Sequence, residues 1–447
     1  VICTSAVRLR ARNFRAVDPV RDAPDYNADF NNNTGVLPGG HMVMMRRSWR
    51  RLLAVRDRLR SATAMSVAGL LLAVGVMATA STAAHATYKT QAKQAILIDV
   101  TSNAVLFEHN ADEKMSPASM SKLMTLAVVF RAIKSGQLSP DDEFTMSENA
   151  WRTGGAPSGT SAMMVPVNTR ETLGNLVKGI AVQSGNDAAI SIAETLAGSE
   201  EAFAKIMTQE AKRIGLKNSV FMNSTGLYHP EHLTTARDLA ILARYLIEEY
   251  PEQYKVFAEP NFRYRKHRFR NRNPLLDLDL GVDGLKTGYI SQAGYGVVAS
   301  AVQDGRRLIA VINGLKDRRA RKREGRRLIE WGFKGFSKFE IFSSGDIVGQ
   351  ARVWGGSQLF VPLRGKGPLT VVLPRFPSNQ RLRAEIVYDG PLKPPVIEGA
   401  KVARLRVTSS TGAINEVPLY AAENVAAAGV LRRGLDSAFH LAFGWIP

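Results

Sequence analysis

Cysteine is almost missing from the chain: 447 residues contain one, Cys3. A single thiol excludes an internal disulfide framework and a multi-cysteine metal centre. It also excludes a cysteine nucleophile from any part of the chain beyond the first few residues. No apolar run spans a bilayer comfortably either, since Val67 to Ala80 falls short of the roughly 20 residues a membrane-crossing helix needs. Acidic residues are outnumbered, 40 against 59 basic, for a net charge of +19. Residues 1–86 hold 12 basic and 5 acidic residues, so +12 belongs to the remainder. Such a surplus suits an anionic membrane surface, a wall polymer or nucleic acid, and charge alone does not choose among them.

What is present is a folding chain, 45% apolar and 22% charged, with room for two domains. Residues 1–44 lack apolar periodicity and carry loop clusters such as Asn31-Asn32-Asn33-Thr34-Gly35 and Pro38-Gly39-Gly40. They are expected either to be disordered or to be an upstream extension that the working protein lacks. Residues 45–86 change character. Seven arginines between Arg46 and Arg60 precede Val67 to Ala80, and Ala84-His85-Ala86 follows. A basic stretch, a short apolar run and a small-Xaa-small site predict a secretory signal peptide, with a retained N-terminal anchor as the other reading. A mature chain starting near Thr87 has no cysteine, and a core this large needs no disulfide.

Three short motifs carry the chemistry. Ser119 and Lys122 stand three residues apart at the start of the helical run Leu123, Leu126, Val129, Phe130, which puts a hydroxyl and an amine on one face, one turn apart. An uncharged lysine so placed acts as base toward the serine, and the helix N-terminus offers free N–H groups to an oxyanion. Alone the pair means little, because about one Ser-Xaa-Xaa-Lys is expected by chance in a chain this long. Ser184-Gly185-Asn186-Asp187 lies between the apolar stretch Leu176 to Val182 and another helix. Ser147-Glu148-Asn149 also fits Ser-Xaa-Asn, but Gly185 permits a tight turn at Ser184. Lys286-Thr287-Gly288 precedes a strand-like run, and only about 0.1 copies of that triplet are expected by chance.

In that order the motifs resemble those of the penicillin-binding protein and serine β-lactamase superfamily. Flanking text, including Val182-Gln183-Ser184-Gly185-Asn186-Asp187-Ala188, Thr235-Ala236-Arg237-Asp238 and Trp331-Gly332-Phe333, is similar to low-molecular-mass D-alanyl-D-alanine carboxypeptidases in particular. The likeness is close over residues 90 to 340. It implies Ser119 as nucleophile on the penultimate D-Ala carbonyl, Lys122 as its base, and Ser184 as a relay to the leaving amine. Asn186 would bond the substrate backbone or hold Lys122, Lys286 adds positive potential, and Thr287 bonds the terminal carboxylate. Gly288 leaves room for close approach. The backbone N–H groups of Ser119 and Tyr289 would form the oxyanion hole, although many relatives carry histidine where this chain has Tyr289. Arg272 and Arg321 are the candidates for a bidentate carboxylate fork. No metal or organic cofactor is implied.

The rest of the chain fits that reading. Strand patterns at Ala95 to Val100, Ala104 to Phe107, Gly294 to Val302 and Arg307 to Leu315 bracket helical patterns at Ser121 to Ile133, Arg170 to Ile180, Ala188 to Leu196, Glu201 to Ile214 and Thr235 to Glu249. They predict an α/β (α+β) domain over 87–343, one antiparallel sheet with a helical body, as in the β-lactamase/transpeptidase-like fold. Short apolar runs between turn residues, Leu359 to Leu363, Leu369 to Leu373, Ala384 to Tyr388 and Val402 to Val407, predict a small all-β domain over 344–420. In 421–447, Leu431, Leu435, Phe439 and Phe443 recur every four residues. That stripe predicts an amphipathic helix, either lying in a membrane interface as in similar carboxypeptidases or packed on the β domain.

The expectation is therefore a penicillin-sensitive serine D-Ala-D-Ala carboxypeptidase acting on peptidoglycan stem peptides, exported to the periplasmic face of the cytoplasmic membrane. D,D-endopeptidase or transpeptidase activity, and a catalytically silent wall-binding module, remain open. A class A β-lactamase would need its glutamate in Glu-Xaa-Xaa-Leu-Asn, which residues 187 to 285 do not contain. Aromatic and basic residues alternate from Phe262 to Arg272, which resembles a nucleic-acid surface, but an exported protein meets little nucleic acid, and a sheet edge beside the cleft suits the pattern better. Gly154 to Ser161 is expected to be a loop on the cleft rim.

Overall fold

The computed structural model describes residues 2–7, 15–16, 88–375, 382–409 and 414–429. These belong to one compact unit. The signal-peptide expectation at 45–86 lies outside the described residues.

The part of the chain that carries the three motifs is organised on an antiparallel sheet. Its strands run in the order Ala104–His109, Gln94–Asp99, Arg306–Leu315, Gly294–Gln303 and Val282–Ile290, the last at the edge. Side chains alternate between two cores, as a period of two requires. Ile96, Val298, Ile309 and Val311 face a helical body that includes Lys122–Lys134, Glu200–Ile214 and Ala236–Glu249. Leu97, Val297, Ala299, Leu308 and Ala310 face the other way, onto the helix Arg318–Lys334. Burial on both faces is why these strands read as continuous apolar runs rather than as polar-apolar alternation. A tight turn joins the two central strands, with Asp304 and Gly305 both at positive φ, the conformation such a hairpin demands.

Helix starts follow capping chemistry. Ser199, Thr235 and Asp317 each accept a bond from the backbone N–H three residues on, at 3.1, 3.0 and 2.6 Å, satisfying donors that the helix leaves free. The nucleophile segment starts differently, with a single 3₁₀ turn Ala118–Ser121 leading into Lys122–Lys134.

A second, all-β body follows, with Val361, Leu363, Val371, Leu405, Val407 and Leu419 in its fully buried core. The strand Phe336–Phe342 pairs with Leu369–Pro374, so strand pairing of this body begins before residue 344. The strand Ile414–Ala421 also meets the catalytic sheet, pairing Ile414 with Val105.

Three expectations differ from the structure. Residues 1–44 are not uniformly unstructured: Ile2–Val7 pairs antiparallel with Leu382–Asp389, and Arg15–Ala16 pairs with Phe336–Phe342. The open edge of Leu382–Asp389 supplies unpaired backbone groups, and Cys3 and Val7 pack on the core beneath. The helix expected from residue 421 does not begin there. Val425 bridges Val396 and Ala427 bridges Gly356, because Val425, fully buried, completes the β core. The amphipathic stripe beyond residue 429 lies outside the described residues. Third, the helix expected from Arg170 begins at Leu173, because Arg170–Thr172 pairs as a strand with Glu143–Thr145. Residues 261–270 form a two-stranded hairpin, Asn261–Tyr264 with His267–Arg270, and Arg270 lines the cleft. Phe262 and Tyr264 are buried and stack on each other, which gives the alternating aromatics their packing role. Among the described residues no helix is long and apolar enough to cross a membrane.

Candidate active site

Two backbone positions shape the site, and both are non-glycine residues at positive φ: Ala118 at 48° and Ser184 at 68°. L-residues occupy that region at a cost, and such strain concentrates at functional sites. Ala118 delivers Ser119 to the top of the nucleophile helix, while Ser184 closes the π-helical turn Gly179–Gln183 and precedes the helix Asn186–Ala197.

Lys122 is fully buried. Its Nζ lies 3.3 Å from Ser119 Oγ, 2.6 Å from Asn186 Oδ1 and 2.5 Å from the Thr225 carbonyl oxygen. The last two atoms only accept. A neutral amine has two N–H bonds and one lone pair, so donating to Asn186 and Thr225 leaves the lone pair for the Ser119 hydroxyl. Burial brings the Lys122 pKa down to about 7, against the carboxylates of Glu200 and Asp187, which raise it, and with a further lowering from Arg272. The amine is thus available as a base near neutral pH.

The remaining motif residues converge on the same cleft, of about 1190 Å³, whose lining includes Ser119, Ser184, Asn186, Thr287, Gly288, Tyr289, Arg272 and Arg321. Ser184 is 3% exposed, and its Oγ has no partner among the described residues. Lys286 is buried, with Nζ 3.3 Å from the Thr287 carbonyl oxygen. Burial pushes its pKa well below the usual lysine range, helped by Lys122, Arg272 and Arg321. Arg272 is on the rim, its Nε 3.3 Å from Gln183 Oε1. Arg321 is 7% exposed, and its Nε has no partner among the described residues. Gly159, Thr160 and Ser161 line the rim as the glycine-rich stretch suggested.

The space that Gly288 opens serves a purpose other than the expected one. A Cβ there would stand 2.9 Å from the Pro117 carbonyl oxygen and 3.1 to 3.2 Å from Met120 and Ala118. Its missing side chain lets the edge strand lie against the nucleophile turn.

Several residues that matter were given no role by the sequence. Asp187 accepts backbone bonds from Met163, Met164 and Ala188 at 2.8 to 3.0 Å and from Val165 at 3.3 Å. It pins the loop that brings Thr160 Oγ1 to 2.9 Å from Asn186 Nδ2. Glu200 accepts from the Ser224 backbone at 3.0 Å and from its hydroxyl, while Thr125 Oγ1 donates to the Ser224 carbonyl at 2.7 Å. Together they fix the loop that presents the Thr225 carbonyl. Beneath the nucleophile turn, Ser121 Oγ and His232 Nε2 are 2.9 Å apart and buried. Burial drops the His232 pKa to about 4, with His229 and Lys122 adding to the shift, so the imidazole is neutral. Asp187 was visible in the sequence beside Asn186; the others act through backbone atoms or from distant segments.

Comparison with known proteins follows the same lines. Residues 79–316 match the family described as D-alanyl-D-alanine carboxypeptidase, and residues 336–427 match the penicillin-binding protein 5 C-terminal domain. The chain is 38% identical over 354 residues to D-alanyl-D-alanine carboxypeptidase DacC of Escherichia coli (strain K12), covering 78% of this chain and 88% of that one. Among solved structures, penicillin binding protein 5 from Haemophilus influenzae is 33% identical with a TM-score of 0.64, over 76% of this chain and 98% of that chain. Penicillin-Binding Protein D2 from Listeria monocytogenes, in an ampicillin-bound form, is 28% identical with a TM-score of 0.50, over 55% of this chain and 98% of that chain.

Proposed function

Because the chain belongs to the D-alanyl-D-alanine carboxypeptidase family, we propose that its cleft removes the terminal D-Ala of peptidoglycan stem peptides through an acyl-enzyme on Ser119. The chain is a serine-type D-Ala-D-Ala carboxypeptidase, a hydrolase of the penicillin-binding class. The observation that carries the assignment of Ser119 is the arrangement around Lys122: two acceptors take its N–H bonds, and its third direction faces Ser119 Oγ at 3.3 Å.

The steps follow from that geometry. Lys122 takes the Ser119 proton as Oγ attacks the carbonyl of the penultimate D-Ala. The oxyanion is held by the backbone N–H groups of Ser119 and Tyr289. Ser184, a buried hydroxyl whose Oγ has no partner among the described residues, takes that proton from Lys122 and gives its own to the departing D-Ala amine as the C–N bond breaks, which returns Lys122 to its neutral form. Water then attacks the ester with Lys122 as base and releases Ser119. The substrate lies as an extended peptide along the edge strand Val282–Ile290, the arrangement in which a bound peptide adds to a sheet edge. Its carboxylate meets Thr287 and Arg321, with Lys286 and Arg272 supplying positive potential.

A β-lactam enters the same cleft as an acylating inhibitor. The protein is exported, acts at the periplasmic face of the cytoplasmic membrane, and is held there by its C-terminal segment. If a chain ending at Tyr420 still pelleted with membranes, that attachment would be wrong.

Release of free D-Ala from a stem pentapeptide ending in D-Ala-D-Ala tests the main reading. The parent is expected to release it, and Ser119→Ala is expected neither to release it nor to be labelled by penicillin. Persistent labelling of that variant would overturn the assignment of Ser119.

A further inference from the structure

The Arg321 guanidinium is buried in the cleft wall without an Nε partner, yet it stands among cations. Arg318 and Arg272 both push its pKa down, as burial does. What holds it is an aromatic ring: its Cζ lies 5.7 Å from the Tyr295 ring centroid. A second ring backs the first, with Tyr289 stacked on Tyr295 at 4.1 Å between centroids and 26° between planes. The strand register brings these rings together, because Tyr289 and Tyr295 are direct cross-strand partners, and such partners share a face of the sheet. All three residues line the cleft.

An aromatic face and a carboxylate can each restrain a guanidinium, but with different consequences. A carboxylate would occupy the planar fork of donors and cancel the charge. A ring attracts the cation through its quadrupole and leaves the fork empty. The second holder suits an arginine whose task is to receive a carboxylate from outside.

We propose that Tyr295, backed by Tyr289, forms a stacked clamp that positions Arg321 for the terminal carboxylate of the substrate. Tyr295 is thus a positioning residue that sets preference for carboxylate-ended peptides. This rests on the carboxypeptidase reading, and its test separates the two. Tyr289 stands where many similar carboxypeptidases carry histidine, so the clamp gives this chain's departure a function.

The experiment measures kcat and KM for release of the last residue from a stem pentapeptide with a free terminal carboxylate and from the same peptide ending in an amide. Tyr295→Leu should raise KM for the carboxylate peptide on the order of ten-fold, the size of a desolvated cation–ring contact, with kcat within about two-fold. Tyr295→Phe, which keeps the ring, should recover most of that loss. Tyr289→Ala should raise KM in the same direction by less. Tyr295→Leu should not raise KM for the amide peptide, and in an Arg321→Gln background Tyr295→Leu should add nothing.

A KM that stays constant in Tyr295→Leu, or rises equally for both peptides, overturns the clamp. If Tyr295→Leu does not fold, judged by circular dichroism, Tyr289→Ala decides, since Tyr289 as a residue is 51% exposed and an unchanged KM there overturns the clamp as well. A parent that releases no D-Ala sinks the carboxypeptidase reading instead.

Discussion

A Cβ on Gly226 would stand 1.9 Å from the Ala118 carbonyl oxygen. The loop that presents the Thr225 carbonyl to Lys122 is therefore packed directly against the turn that presents Ser119. The proposed base and nucleophile thus share one backbone contact.

Gly226→Ala is the sharpest probe of that contact. Gly226 also sits at φ +79°, so alanine there meets both a clash and an unfavourable backbone region. The second-order rate of Ser119 acylation by benzylpenicillin should fall at least about 100-fold, the cost of an ångström-scale misplacement of reacting groups. A rate within a few-fold of the parent would show that the turn and the loop can part without consequence.

Lys122 sets the pH dependence. Its pKa is depressed to about 7, so the neutral amine that serves as base predominates above that value. The acylation rate should rise as pH passes through 7 and then level off. Glu200→Gln removes a carboxylate that raises the Lys122 pKa, so the rising limb should move to lower pH. Movement to higher pH, or none, would contradict the role given to Glu200.

Sequence patterns revealed much of this, and its limits have a physical cause. Ser119, Lys122, Ser184 and Lys286 were legible because their chemistry depends on side-chain identity at short spacings. Four of the five strands of the motif-bearing sheet were legible because strands buried on both faces must be apolar throughout, whereas the edge strand Val282–Ile290 was not, its run broken by Asp283, Lys286 and Thr287. Thr225 was not, since it contributes a carbonyl that any residue has. His232 and Glu200 reach the site across sequence separations of 111 residues to Ser121 and 24 to Ser224, beyond any periodic signal. The helix Arg318–Lys334 was hidden because its first two turns are crowded with Arg318, Arg319, Arg321, Lys322 and Arg323 and present little apolar stripe.

That crowding predicts a salt effect. Arg270, Arg272, Arg318, Arg319, Arg321 and Lys322 line the cleft with no Asp or Glu among the described lining residues. Cations at a helix N-terminus also oppose its dipole. Such a rim should draw in an anionic substrate, so acylation by benzylpenicillin, itself a carboxylate, should slow several-fold from low salt to roughly 0.5 M. The double variant Arg318→Gln, Lys322→Gln should start slower and depend less on salt. Parallel salt profiles for parent and variant would rule out steering by this rim.

Asp187 should matter for stability as well as for the site. Four backbone N–H groups point at its carboxylate, and Asp187→Asn would turn an amide donor toward some of them. A loss of roughly 1–3 kcal/mol in urea unfolding is expected, the cost of leaving buried donors unpaired. A variant as stable as the parent would mean that the loop holds without this anchor.

The ion pair of Arg306 with Asp99, 2.5 Å long, joins residues 207 apart in sequence. It ties the first strand of the catalytic sheet to one of its last, and everything chemically active between Ser119 and Lys286 lies inside that loop. During synthesis on a ribosome, the nucleophile, its base and the second serine all exist for many seconds before the strand that completes their sheet, at roughly 5–20 residues per second. A ribosome stalled before residue 306 would carry every residue of the three motifs without the strand Arg306–Leu315, which joins the hairpin carrying Lys286 to Gln94–Asp99. Partial chains of this protein should therefore be blind to penicillin, and the antibiotic should count only finished molecules.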